Sequence, residues 1–165
     1  MMPTALKFFG FLPLLALATA VGATDSEPPD AVALWTADKS AILDAADAEL
    51  DAFRWTARPV VVFADSANDP AFQRQLELLA ARSNELVERD VVIITDTNPD
   101  DRSELRTKLR PRGFMLTLIG KDGAVKLRKP FPWDVRELTR QIDKMPMRRQ
   151  EIIDAKEAAR AAGRE

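Results

Sequence analysis

The chain has 165 residues, with 24 Lys and Arg against 26 Asp and Glu, so its net charge of −2 provides no global field to draw it to nucleic acid. It contains neither cysteine nor histidine. That excludes thiol redox chemistry, Cys–His and Ser–His–Asp nucleophiles and thiolate or imidazole zinc sites, leaving carboxylates, amines, hydroxyls and backbone.

Lys7 precedes an apolar run from Phe8 to Ala23 that closes on the small residues Val21-Gly22-Ala23. This is the order of a secretory signal, with cleavage expected after Ala23. The run is too short for a span of roughly 20 residues, so no membrane span is expected after cleavage. With no cysteine to carry a lipid, the expected location is the periplasm or the exterior. Residues 24–39 read as a polar linker with Pro28-Pro29 and a weak apolar patch at Val32 to Trp35. Ser40 then opens a predicted helix, Ala41 to about Phe53, with Leu43, Ala46, Leu50 and Phe53 at helical spacing and Asp44, Asp47, Glu49 and Asp51 on the other face. Trp55 is expected to pack over an edge of the core.

Pro59 to Ala64 is the central strand, and its unbroken run Val60-Val-Val-Phe63 marks a strand covered on both faces. Asp69-Pro70 pairs an N-cap acceptor with a proline whose missing N–H costs nothing there, so a helix follows, with Phe72, Leu76, Leu79 and Leu86 inward. Asp90 to Thr95 is a second buried strand. Asn98-Pro99-Asp100-Asp101 starts a short helix ending near Leu109, because Pro111 follows. Phe114 to Ile119 forms a third strand, Gly120-Lys-Asp-Gly123 a hairpin turn, and Val125 to Lys129 a return strand with Val125 and Leu127 inward. Trp133-Asp134 opens a last packed helix carrying Val135, Leu138, Ile142 and Met145, closed by Pro146. Residues 147–165 read as a charged helical tail, and residues 40–146 as the domain. Strand, helix, strand, helix, strand, strand, helix is an α/β order of the thioredoxin-like kind: a βαβ unit, a helix, a hairpin and a covering helix, with an extra N-terminal helix.

Several stretches carry a family likeness: Arg54-Trp55, Arg58-Pro59 with Phe63-Ala64-x-Ser66, Asp69-Pro70, Arg89-Asp90-Val91-Val92, Leu118-Ile-Gly-Lys-Asp-Gly123, and Ile142-Asp-x-Met-Pro-Met-Arg-Arg-Gln-Glu151. Through them, from about Leu50 to Glu151, the chain resembles domain of unknown function 4174. That family consists of secreted, often bacterial envelope domains, and a similar module occurs in vertebrate extracellular-matrix proteins. The resemblance implies a thioredoxin- or peroxiredoxin-like fold and no established activity. Set against an active thioredoxin, the reactive-pair slot corresponds to Ser66-Ala67-Asn68-Asp69, and the position before the third strand falls near Met115.

Two constellations remain. Asp65 and Asp96 follow the two parallel strands, within expected reach of Asp69 and Asp100, and clustered carboxylates bind Mg²⁺ or Ca²⁺. This is the basis of an alternative reading as a metal-dependent enzyme acting on phosphoesters. The other is basic: Arg102 to Arg149 carries fourteen basic and five acidic residues. Arg110 and Arg112, with Arg148 and Arg149, suit an acidic protein or an anionic glycan, unless Arg148 and Arg149 merely cap a helix end or pair with the acidic segment 44–51. The first reading is a redox-inactive envelope domain that works by binding, with Ser66, Asn68, Asp69 and these four arginines as its candidate contacts. It assigns no catalytic residue and no cofactor; a structural or stress-response role is the second alternative.

Overall fold

A computed structural model describes residues 30–163, so the expected signal, residues 1–23, lies outside them. Strand β2, Arg58–Phe63, is buried at every position. Strand β3, Val91–Asp96, runs parallel to it in a register from Arg58 opposite Val91 to Phe63 opposite Asp96. On the other side of β2 lies β4, Met115–Ile119, antiparallel, and then β5, Val125–Lys129, its hairpin partner. A short strand β1, Ile42–Asp44, joins the free edge of β3 in parallel. The five strands therefore run β1-β3-β2-β4-β5, the thioredoxin-like arrangement.

Side-chain alternation divides the apolar run of β2 between two cores. Val61 and Phe63 pack with Val92, Ile94, Phe53 and Leu105 on one face. Val60 and Val62 pack with Phe72, Leu79, Leu116, Leu138 and Ile142 on the other. Each such side chain contributes about 1.5–3 kcal/mol relative to exposure. The second face is covered by helices α2, Pro70–Ala80, α3, Ser83–Val87, and α5, Val135–Asp143. The first is covered by α1, Ala31–Ala37, and α4, Glu104–Leu109.

Several expectations need correction. The segment read as a linker contains α1, capped by Asp30 and anchored by Trp35, which is 2% exposed and donates its Nε1–H to the Val91 carbonyl at 3.3 Å. The folded unit thus begins before Ser40. No long helix spans Ala41 to Phe53; Leu43 pairs with Ile94 at the sheet edge, the Asp44 carboxylate turns the chain by accepting the Ala46 N–H at 2.8 Å, and a 3₁₀ turn, Leu50–Phe53, buries Phe53. The helix expected from Asn98 is broken, because Arg102 adopts a left-handed conformation (φ 45°) and Ser103 recaps α4 through the Arg106 N–H. Val125 is 41% exposed rather than inward, and Leu127 is half-buried.

The tail is not an appendage at its start. Helix α6, Pro146–Ala162, follows α5 directly, and its Glu151 reaches the first residue of β2. Trp55 is 63% exposed, held in a left-handed conformation (φ 67°) with its N–H on the Lys121 carbonyl at 2.7 Å, so it does not pack over the core edge.

Candidate functional site

At the C-terminal end of β2, Asp65 to Pro70 is a tight turn in which Ser66 and Asp69 bond within the turn and the helix start. The Ser66 hydroxyl accepts the Asn68 N–H at 3.2 Å, and the Ser66 carbonyl accepts the Asp69 N–H at 3.1 Å. Asp69 accepts from the N–H groups of Ala71 and Phe72 at 2.7 and 3.3 Å, which makes it the N-cap of α2. Gln73 closes the turn onto the Ala67 carbonyl at 2.6 Å. Ser66 and Asn68 are exposed.

Asp96, at the matching end of β3, is 4% exposed. Its carboxylate accepts from the Arg106 Nε at 2.7 Å, the Ser103 hydroxyl at 2.5 Å and the Asn98 N–H at 3.3 Å. Arg106 also donates to the carbonyls of Ala64 and Asp96, lies over the Phe63 ring and sits 3.8 Å from the Asp65 carboxylate. A guanidinium therefore stands between the two carboxylates that the metal reading requires. Among the described residues no group of three or more carboxylates is arranged to hold a metal ion. Asp69 is committed to its cap, and Asp100 lies exposed on a 3₁₀ turn. The expected carboxylate cluster is thus an ion pair: Asp65 and Asp96 are bridged by an arginine ten residues beyond Asp96.

Arg110 ends α4 in a left-handed conformation (φ 49°), and Arg112 follows Pro111; both are exposed. Neither side chain has a hydrogen-bond or ion-pair partner among the described residues. A Cβ on Gly113 would lie 3.9 Å from the Asp65 Oδ2, which brings this loop beside the Ser66 turn. At the start of α4 a groove of about 710 Å³ is lined by Asp44, Glu49, Asp101 and Glu104, with Arg102 at its side. This end of the molecule is of mixed sign.

Arg148 and Arg149 lie elsewhere. Arg148 is half-buried, 3.3 Å from Glu151 and 3.6 Å from Asp143, and does not pair with residues 44–51. Glu151 contacts Arg58, the first residue of β2, whereas Ser66 follows its last, and a strand of six residues spans about 20 Å. The two arginine pairs expected to share a surface therefore stand at opposite ends of the sheet.

The Arg148 end holds a connected charge network. Arg58, whose side chain is 1% exposed, reaches Glu151 at 2.8 Å and the Arg89 carbonyl at 2.8 Å. Lys121 bridges Glu151 at 3.0 Å and Asp90 at 2.9 Å, and Lys39 closes on Asp90 at 2.7 Å. Arg89 grips Asp143 bidentately, both distances 2.9 Å. That pairing holds Asp143 below the usual carboxylate range and raises Arg89. Burial pushes Asp90 and Glu151 up, but donors more than offset it: Lys39 and Lys121 for Asp90, Arg58 and Lys121 for Glu151. Both end below their ordinary values. No local pattern announces this network, since Arg58 and Glu151 are 93 residues apart. Yet Arg58, Arg89-Asp90, Lys121 and Arg148 to Glu151 all belong to stretches that carry the family likeness.

Solved structures with which the chain shares a likeness include three of low identity. The mitochondrial 2-cys peroxiredoxin from Plasmodium falciparum is 14% identical, covering 61% of this chain and 84% of its own, at a TM-score of 0.45. The Plasmodium yoelii thioredoxin peroxidase I is 16% identical, covering 58% and 76%, at 0.41. StoA from Bacillus subtilis is 10% identical, covering 52% and 81%, at 0.33. The model of the family described as Domain of unknown function (DUF4174) matches residues 49–151, nearly the whole span from the 3₁₀ turn before β2 to the Glu151 that ties α6 down, and the chain belongs to that family.

Proposed function

We propose that this chain is a redox-inactive binding domain of the cell envelope, periplasmic or secreted, that engages a protein partner through the end of the sheet carrying Ser66, Asn68, Arg110 and Arg112. The observation that carries this reading is the pair of exposed guanidinium groups at Arg110 and Arg112, without carboxylate partners among the described residues, beside a turn held by Ser66 and Asp69. Arginine forks recognise carboxylates bidentately, and surface loops on a rigid sheet are where binding groups are usually placed. The acidic groove at the start of α4 makes the same end negative on its other side. A surface of mixed sign suits a partner protein with complementary charges better than a uniform polyanion such as a sulfated glycan.

The redox-inactive part of the reading rests on composition: a thioredoxin-like sheet without a single cysteine has no thiol for thiol–disulfide exchange. The envelope part rests on the signal-like residues 1–23, and no helix among the described residues is long and apolar enough to cross a membrane. Crosslinking of the exported chain in its envelope, compared with a variant carrying Arg110→Ala and Arg112→Ala, tests the partner. Loss of a discrete adduct at unchanged melting temperature is the expected outcome, and an adduct that survives the double substitution overturns the site. Retention on a heparin column that the same variant loses would transfer the ligand from protein to glycan.

A further inference from the structure

Helix α6 starts without a cap. Met145 offers its first turn no side-chain acceptor, Pro146 occupies the first helical position, and there is no acidic residue in the first turn. Over its 17 residues the aligned peptide dipoles leave partial positive charge on those N–H groups. Ordinary sequences relieve this with Asp or Glu; here Arg148 and Arg149 add to it. Two further observations, independent of the helix, point the same way. Arg58 is fully buried, lines the groove in front of the α6 start, and its Nε–H has no acceptor. In the surrounding network four buried or half-buried cations, Arg58, Arg89, Lys121 and Arg148, meet three half-buried carboxylates, Asp90, Asp143 and Glu151, while Lys39 and Glu88 add one charge of each sign from solvent. A buried surplus of positive charge is costly unless something negative completes it.

The groove has a volume of about 360 Å³, within the size range of small-molecule sites. Its apolar lining is Trp55, Met145, Pro146 and Met147; its charged lining is Arg58 and Lys121, the cationic floor, together with Lys126 and the Asp122 carboxylate that Lys126 pairs at 2.5 Å. Trp55 is held over it in a left-handed backbone conformation that a bulky side chain rarely adopts, and strain of that kind persists where the surroundings enforce it. Met147, 37% exposed, completes an apolar rim above a cationic floor.

We propose that this groove binds a small amphipathic anion, its carboxylate or phosphate head at the start of α6 and over the Arg58–Lys121 floor, its apolar body against Trp55 and Met147. The site lies at the opposite end of the sheet from Arg110 and Arg112, so it stands or falls independently of the protein-partner reading. Calorimetric titration of the full chain with 3-phenylpropionate, phenyl phosphate, inorganic phosphate and the neutral 3-phenylpropionamide is the test. Saturable binding of one or both aryl anions, at least tenfold tighter than the amide and than inorganic phosphate, is expected; the preferred head tells carboxylate from phosphate ligands. Trp55→Ala is expected to weaken that binding at least tenfold. Met147→Glu supplies the missing first-turn anion, so it is expected to abolish binding while leaving the melting temperature unchanged or higher, a combination that damage to the fold does not produce. No saturable binding of either aryl anion at millimolar concentration, an amide or inorganic phosphate that binds as tightly, or binding that survives both substitutions overturns the proposal.

Discussion

The two ends of the sheet solve the same electrostatic problem differently. At the C-terminal end of β2 and β3, one buried carboxylate, Asp96, meets one guanidinium, Arg106, and Ser103 and the Asn98 N–H take up further acceptor capacity. Charge and hydrogen bonding close within a segment of about a dozen residues. At the other end, Arg58 and Lys121 draw partners from the Arg89-Asp90 turn before β3 and from α6, cations outnumber the half-buried carboxylates, and Arg58 keeps a buried Nε–H without an acceptor. At the end where the reactive pair of a thioredoxin would sit, the buried charge is paired locally and the exposed Arg110 and Arg112 are left without partners among the described residues; at the opposite end it is buried charge that goes unpaired. The buried polar group without a partner thus lies on the far side of the sheet from the Ser66 turn.

Asp96→Ala breaks the closed end most severely. It leaves the guanidinium of Arg106, 9% exposed, without its carboxylate, and stranding one member of a buried pair costs about 3–5 kcal/mol. Urea unfolding is expected to show that loss; a cost below about 1 kcal/mol would mean that water replaces the carboxylate and that this end is not closed. At the open end the contrast is sharpened by truncation. Ending the chain after Arg149 removes Glu151 and strips Arg58 of its carboxylate, for an expected loss of about 3 kcal/mol. Ending it after Asp154 removes, among the described residues, exposed ones alone and is expected to change stability by less than about 0.5 kcal/mol. Equal effects from the two truncations would show that α6 is bound by something other than its charge network.

Acid is a milder way to separate the ends. Asp90, Asp143 and Glu151 have folded pKa values below their unfolded ones, so they stabilise the chain above the unfolded values and lose that contribution as pH falls through the folded ones. The chain has no histidine, the side chain whose ordinary pKa lies between about pH 5 and 8. Melting temperature is expected to be flat across that window and to fall below about pH 4.5, and the Glu151→Gln variant to show a shallower fall. A slope near pH 6.5, where histidine would titrate, would contradict this.

What the sequence shows and what it conceals divides along the same line. The closed, local features are legible: the unbroken Val60 to Phe63 run predicts a strand buried on both faces, Asp69-Pro70 predicts the start of α2, and Gly120 to Gly123 predicts the hairpin, because each is fixed by neighbours in the chain. Helix α1 is not legible, since seven residues are too few to be stable alone and are held by Trp35 against β3. Strand β1 is three residues at an edge in a segment whose apolar spacing imitates a helix, and tertiary pairing decides between the two. The arginines mislead for the same reason: Arg148 and Arg149 look equivalent to Arg110 and Arg112 until Glu151 and Asp143 claim the first of them. Ion pairs made across 93 residues leave no periodicity to read.

The smallest expected effect tests the open end at its most unusual residue. Trp55 is 63% exposed, so removing its side chain forfeits little burial, and its φ of 67° costs a residue bearing a Cβ about 1–2 kcal/mol that glycine avoids. Glycine offsets part of that gain by its greater freedom in the unfolded chain, about 0.5–1 kcal/mol. Trp55→Gly is therefore expected to leave stability unchanged or to raise it by up to about 1 kcal/mol in urea unfolding, even as it strips one wall from the groove. A loss of more than about 1 kcal/mol would show that the indole packs where the structure leaves it exposed, which would make Trp55 part of the core. Neutral or increased stability instead leaves the tryptophan with a conformational cost and no folding role to offset it, as expected of a side chain held in place for a ligand.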